Sequence, residues 1–371
     1  MSKYIMVGAD VHEKSMLLKI AEGRNKPVMR SFANTVEGRR AMVGYLKERS
    51  ESAGGVAVVV VYEASSLGFG LYDQLTDAGI GCYVLAPTRI ARSSKHRRQK
   101  TDERDAERLL ELLRAHLLAG NELPAVWVPD PETRDDREVV RARLDAAEKR
   151  TALKAQVQSL LKRNSVRKPA TVGQGWTNAY RAWLRGLSRS SSPLGPGAQA
   201  GLASLLRQLD AMEAEVGRLD ADVEALSETA RYAEPVRALV AEVGVGLLTA
   251  MVFLTELGDL SRFANRKQVG AFIGLVPSSN ESGEDGERKG HITHQGPWRV
   301  RRVLCQATWA RVRCHAATRT VYERLVAKNP KHKKIAVVAM MRRLAVVLWR
   351  LGRETQRRHR CFAPQETSSA A

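Results

Sequence analysis

Val56-Ala57-Val58-Val59-Val60-Val61 is an almost unbroken β-branched run, and Tyr62 and Glu63 follow it. β-Branched side chains pack well on a pleated surface, and a run without polar alternation suits a strand covered on both faces. The flanking segments extend the pattern. Tyr4 to Ala9 is a short apolar run ending in Asp10; Met16 to Ile20 and Pro27 to Phe32 come next, with the turn Gly23-Arg24-Asn25 between them, which reads as a strand meander. Asn34 and Thr35 can start a helix carrying Met42, Val43 and Leu46 and ending before Ser50. Leu67 to Ala78 reads as helix and Gly81 to Leu85 as another buried strand. Alternating strand and helix predict an α/β layer built on a mixed sheet.

In such sheets functional groups gather beyond the strand ends. Asp10 and Glu63 each follow an apolar strand at its C-terminal end. Further on, Lys100-Thr101-Asp102-Glu103-Arg104-Asp105 opens an amphipathic segment through Leu109, Leu110, Leu113 and Leu117. Thr101 is a good N-cap, and Asp102 and Asp105, three apart, leave one face of the first turn. Acids in a first turn also answer the helix dipole, which is the commoner reason for an isolated pair of this spacing. If the strands are neighbours, however, four carboxylates converge, and they cannot all stay ionised without a counter-cation. Hard oxygen ligands favour Mg²⁺, with Mn²⁺ as a substitute, and a pair of such ions is the usual device for phosphodiester chemistry. Between the last strand and this helix lie Arg89, Arg92, Lys95, Arg97, Arg98 and Lys100, with no acid among them. Such a run is most often a solvated loop; beside carboxylates it suits a clamp on phosphates.

The 371 residues are enough for two or three domains. Lys and Arg number 60 against 40 Asp and Glu, a net charge of +20, so a polyanion is the expected partner and nucleic acid the default. Most of the excess is local: from Asp285 to Arg360 there are 20 Lys or Arg and 4 Asp or Glu. The cysteines, Cys82, Cys305, Cys314 and Cys361, show no zinc-site spacing and read as reduced thiols. No apolar run approaches the roughly 18 residues of a membrane span, and the N-terminus lacks the apolar core of a signal peptide. A soluble, cytoplasmic and nucleoid-associated protein is expected.

Asp10 after the first strand, Tyr62-Glu63-Ala64 after the β-branched strand and Lys100-Thr101-Asp102-x-x-Asp105 together resemble the RuvC-like (RNase H-like) DEDD domain of a bacterial insertion-sequence transposase family, the bridge-RNA-guided recombinases. By that resemblance Asp10, Glu63, Asp102 and Asp105 are the metal-binding tetrad. The family implies double-stranded DNA at element ends and target as substrate, and a structured non-coding bridge RNA as partner.

From Arg134 to about Lys168 the pattern is one long charged helix. Residues 186–197, rich in Gly, Ser and Pro, read as a flexible loop. Beyond it Leu202, Leu205, Leu209, Met212, Val216, Leu219, Val223 and Leu226 alternate spacings of three and four, an a/d seam of about four heptads. The two helices can close an intramolecular hairpin, or the seam can pair subunits into a dimer or tetramer; its regularity, beside a less regular partner helix, favours oligomerisation. The same helix could line an RNA.

After Pro235, Gly244 and Gly246 stand one apart between helical segments, a form resembling a helix-hairpin-helix, in which glycine lets the backbone grip a phosphate. A lone G-x-G can equally be a tight turn. Phe263 to Gln268 and Ala271 to Pro277 extend the resemblance into the family's C-terminal domain. A polar loop from Ser278 through Gly290 follows, then Ile292-Thr293-His294-Gln295-Gly296 and Arg299-Val300-Arg301-Arg302. The loop has three serines, and the resemblance selects Ser282, followed by glycine, as the nucleophile that joins DNA through a phosphoserine. Arg299, Arg301 and Arg302 could supply positive charge to the transition state. Val300, Pro297-Trp298 and His294 depart from the commoner residues of the family and touch the geometry of the serine loop. Lys331, Lys333 and Lys334 flank a core helix and suit phosphate contacts.

The sequence therefore predicts a RuvC-like α/β domain over 1–130, a helical coiled-coil region over 131–232 with a flexible loop near 186–201, a mainly α C-terminal transposase domain over 233–355, and a disordered tail over 356–371. The expected activity is Mg²⁺-dependent DNA transposition through Ser282, guided by a bridge RNA. Its rivals are a metal-dependent junction nuclease without a covalent intermediate and a non-catalytic nucleic-acid-binding protein.

Overall fold

A computed structural model describes residues 4–90, 101–173, 175–189, 192–282, 285–328 and 330–362. The chain divides into two compact units, Met1–Val128 and Pro129–Ala371.

The first unit is a five-stranded sheet with helices on both faces. In chain order it comprises β1 (Tyr4–Val11), β2 (Ser15–Glu22), β3 (Val28–Ala33), α1 (Val36–Ser52), β4 (Ala57–Glu63), α2 (Gly70–Asp77), β5 (Gly81–Leu85) and α3 (Asp102–Ala119). The strand order is β3-β2-β1-β4-β5. β1, β2 and β3 form the antiparallel meander, while β4 pairs parallel with β1 on one side and with β5 on the other. Strand periodicity divides the sheet. Ile5, Val7, Ala9, Val58, Val60 and Tyr62 face α1 and α2, where Met42, Leu46, Leu71 and Leu75 cover them. Met6, Val59 and Val61 face the other way, against Leu109, Leu110 and Leu113 of α3. The β-branched run is thus buried on both sides. α3 lies flush on β1 because residue 8 is glycine: a Cβ there would come closer than 3.0 Å to the Ala106 carbonyl oxygen and the Leu110 nitrogen.

The second unit begins with α4 (Pro131–Arg163), α5 (Asn178–Leu187) and α6 (Pro196–Ser227). α4 and α6 pack antiparallel: Arg143 Nε donates to Asp220 Oδ1 at 2.6 Å near one end, and Gly201 lies by Leu160 near the other. The seam residues Leu202, Leu209, Val216 and Val223 are buried, and α4 is the chain's own partner for this helix. The expected flexible segment is shorter than 186–201. α5 runs through Gly186 and Leu187, and Pro196 sits in the first turn of α6, where its missing N–H costs nothing.

There follow α7 (Ala233–Val240), α8 (Leu247–Leu257), α9 (Arg266–Phe272), β6 (Pro277–Ser282), β7 (Asp285–Ile292), α10 (Trp298–Cys314), α11 (Ala316–Lys328) and α12 (Lys333–Phe362). α8 is the centre of this core, buried from Ala250 to Leu257. Its one acid there, Glu256, accepts both guanidinium donors of Arg141, at 2.8 and 3.0 Å, and Arg137 donates to the carbonyls of Thr255 and Glu256 that end the helix.

Two expectations are corrected here. The polar stretch after Pro277 is an antiparallel hairpin, β6 with β7, rather than a loop; backbone pairing holds it where the side-chain pattern gives no strand signal. Residues 356–362, expected to belong to a disordered tail, continue α12. Thr355 is buried, and the Gln356 side chain donates to the Gly258 carbonyl and accepts from Leu260 N. Residues 363–371 lie outside the described residues.

Candidate active site

β1 and β4 are neighbours, and their last paired residues are Ala9 and Tyr62. Asp10 and Glu63, one step further on each strand, therefore stand side by side at the C-terminal edge of two parallel strands. Alternation puts both on the face that carries α3. Thr101 caps that helix, accepting from Arg104 N, so its first turn brings Asp102 and Asp105 to the same edge. A buried lysine on β2 anchors this turn. Lys19, only 7% exposed, donates to Glu103 Oε1 at 2.6 Å.

Asp10 Oδ2 lies 3.1 Å from His12 Nε2, and the same nitrogen lies 3.4 Å from Asp102 Oδ1. Among the described residues, Asp10, His12 and Asp102 form a group able to hold a metal ion, with ligand atoms all within 4.8 Å of one another. Burial pushes the Asp10 carboxyl above the usual range; His12 opposes that shift, and the charges of Asp102 and Asp105 add to it. The donor chemistry fits a divalent cation. Two carboxylates from different elements converge, one is desolvated, and a third acid bears on it electrostatically. Glu63 is half-buried at the adjoining strand end, outside the 4.8 Å group. His12, one residue beyond β1 in the turn to β2, is a ligand candidate that the spacing of the acids alone does not single out.

A family model described as "Transposase" (DEDD_Tnp_IS110) matches residues 7–165, and one described as "Transposase IS116/IS110/IS902 family" matches residues 237–323. The chain is 30% identical to "Putative transposase y4qE" of Sinorhizobium fredii, over 94% of this chain and 90% of the relative. The chain belongs to the IS110/IS116 transposase family. It is also 25% identical to "Transposase for insertion sequence element IS1533" of Leptospira borgpetersenii, over 83% of this chain and 86% of that one. Identity to "Transposase for insertion sequence element IS1111A" of Coxiella burnetii is 25%, over 82% and 80%. As a member of the IS110/IS116 family the chain is an enzyme acting on DNA in transposition. The mixed sheet of its first unit is consistent with a RuvC-like DEDD domain, and the acidic cluster with the divalent-metal dependence that such a domain suggests.

The other sequence-predicted residues of this IS110/IS116 chain differ in where they fall. Arg89 ends a 3-10 turn, Pro87–Arg89, and is exposed, whereas Arg92, Lys95, Arg97, Arg98 and Lys100 lie outside the described residues. Lys331 is exposed in the 3-10 turn Pro330–His332, and Lys333 and Lys334 are exposed in the first turn of α12.

Arg299, Arg301 and Arg302 have partners within the second unit. Arg299 donates to Asp145 at 2.9 Å, Arg302 pairs with Glu148, and Arg301 donates to the carbonyls of Ile273, Gln295 and Gly296. Burial lowers the Arg301 pKa. Gly244 has φ +86°, and a Cβ on it would stand 2.6 Å from the Ala307 carbonyl oxygen, so this glycine is required by the turn and by the approach of α10. Gly246 is exposed at the N-cap of α8. Ser282 is the last residue of β6, and its backbone pairs with Asp285 across the hairpin. Among the described residues no helix is long and apolar enough to cross a membrane.

Proposed function

We propose that the chain is a Mg²⁺-dependent DNA recombinase that cuts and rejoins insertion-element ends and target through a phosphoserine on Ser282. The observation that carries the metal-dependent part is the meeting of Asp10, His12 and Asp102 at the end of a central strand, with Glu63 and Asp105 adjoining. Mg²⁺, or Mn²⁺ in its place, would polarise the scissile phosphate and stabilise the charge that develops on it. The role of Ser282 rests on the resemblance of its segment to the family. Its hydroxyl oxygen forms a bond to phosphorus as a P–O bond of the DNA strand breaks; the hydroxyl proton passes to a base, and the departing oxygen takes up a proton.

A structured bridge RNA pairing with donor and target DNA, and a nucleoid-associated cytoplasmic setting, are the partner and place this function implies. The net charge of +20 supports a nucleic-acid partner. Assembly into a dimer or tetramer has support in α6, where Met212 and Leu219, seven apart on the seam, are only half-buried.

The test is a denaturation-resistant protein–DNA adduct, formed from the element's flanking DNA with Mg²⁺ by protein purified with its bound nucleic acid. An adduct lost on RNase treatment and in Ser282→Ala supports the whole proposal, and an unchanged adduct in Ser282→Ala overturns the serine assignment. A second mechanism, a DEDD nuclease without covalent intermediate, is favoured by one observation. The arginines expected to assist Ser282 are engaged by Asp145, Glu148 and backbone carbonyls. Metal-dependent nicking without adduct would identify that mechanism.

A further inference from the structure

We infer that His12 is a nitrogen ligand of the metal site, which gives the site a mixed oxygen and nitrogen donor set and a preference for Mn²⁺ over Mg²⁺. The inference rests on the metal-dependent function proposed above. Cis ligands on an ion with bonds of about 2.1 Å stand about 3.0 Å apart. The separations of 3.1 Å from His12 Nε2 to Asp10 and 3.4 Å to Asp102 are close to that edge length. The same nitrogen is hydrogen-bonded to Asp10 Oδ2, so an arriving ion would take the place of the hydrogen between them without moving either side chain far.

The position of His12 is also fixed before any ion arrives. Its backbone N–H donates to the Ser15 carbonyl at 2.8 Å, and its carbonyl accepts from Asn34 Nδ2 at 2.6 Å. Asn34 is held in turn by Arg39 Nε, again at 2.6 Å. The imidazole is 43% exposed, so an ion can reach it from solvent. Imidazole is a softer donor than carboxylate or water, and divalent first-row metals bind nitrogen more strongly than Mg²⁺ does.

The experiment binds Mn²⁺ alone to the full-length protein and reads imidazole-nitrogen modulation in the electron spin echo, beside titrations of Mn²⁺ and Mg²⁺ affinity. The expected result is nitrogen modulation in the parent protein. It should vanish in His12→Gln, with Mn²⁺ affinity about tenfold weaker or more and Mg²⁺ affinity less changed. His12→Gln retains hydrogen-bonding capacity, and an unaltered thermal unfolding profile without metal confirms that it folds. Mn²⁺ bound at the Asp10 site without nitrogen modulation, or modulation that persists in His12→Gln, overturns the assignment. No Mn²⁺ binding by the parent protein would overturn the metal-dependent function as well, which sets the two failures apart.

Discussion

The carbonyl oxygen of Ala106 occupies the space that a Cβ on residue 8 would need. Gly8 thereby sets the height of α3 above β1, and with it the distance from Asp10 to the acids of the first turn. Gly8→Ala should lift the helix and cost about 1–3 kcal/mol, as overpacking does. A thermal unfolding series should show a lower midpoint and a smaller gain on adding Mg²⁺. An unchanged midpoint would mean that α3 can slide without penalty.

The Lys19–Glu103 pair fastens the same turn. Lys19 lowers the Glu103 pKa, through a hydrogen bond first and charge second. A carboxyl depressed in the folded state contributes stability above its unfolded pKa, and that contribution is lost as pH falls through the folded value. Lys19→Met should remove this acid-side dependence and weaken metal binding. Combined with Glu103→Gln, its effect on metal affinity should be less than additive, which a double-mutant cycle measures.

Asp10 behaves in the opposite sense. Burial raises its folded-state pKa, so the folded protein holds the proton more tightly, and this group's contribution to stability improves as pH falls from neutral. Asp10→Asn should make the metal-free protein more stable at pH 7 and abolish stabilisation by Mg²⁺. Metal binding by the parent should weaken on acidification at a pH above the ordinary aspartate pKa of about 3.9.

In the second unit, Glu256→Ala would strand Arg141 and remove a compensating charge from Arg137, which keeps its bonds to the Thr255 and Glu256 carbonyls. Arg137 is mostly enclosed, and burial already lowers its pKa against the pull of Glu256. Breaking a buried pair from one side costs roughly 3–5 kcal/mol, and the low end applies because Arg141 keeps part of its guanidinium in water. Denaturant unfolding should show this loss, while metal binding at the Asp10 site is unchanged.

What could be read in the sequence was local. The β-branched run, the Thr101 cap and the apolar stripe of α3 need only neighbouring residues to act, and each forms the expected kind of element. The roles of the arginines after Gly296 were hidden because their partners lie far away in the chain: Asp145 and Glu148 are each 154 positions from the arginine they hold. Ser278 to Gly290 carries no apolar alternation, so the hairpin leaves no trace in composition. The end of α12 depends on Gln356 finding the backbone of residues 258 and 260, a contact that periodicity cannot show. His12 was hidden because it lies in the turn after β1, where strand periodicity says nothing about side-chain direction, and it meets Asp102 only through the packing of α3 on the sheet.

α12 contributes Val337, Met341, Leu344, Ala345, Leu348 and Trp349 to a core that begins with Val140 and Leu144. The last wall of that core to leave the ribosome is the one that closes it. The first unit has all its strands and α3 by residue 119, whereas the second cannot seal until α12 is made, roughly 10–50 s later at ordinary elongation rates. During synthesis the carboxylate site can therefore take shape on a chain whose second unit is still open, and a reading frame interrupted before residue 333 would leave α8 and α10 without their cover.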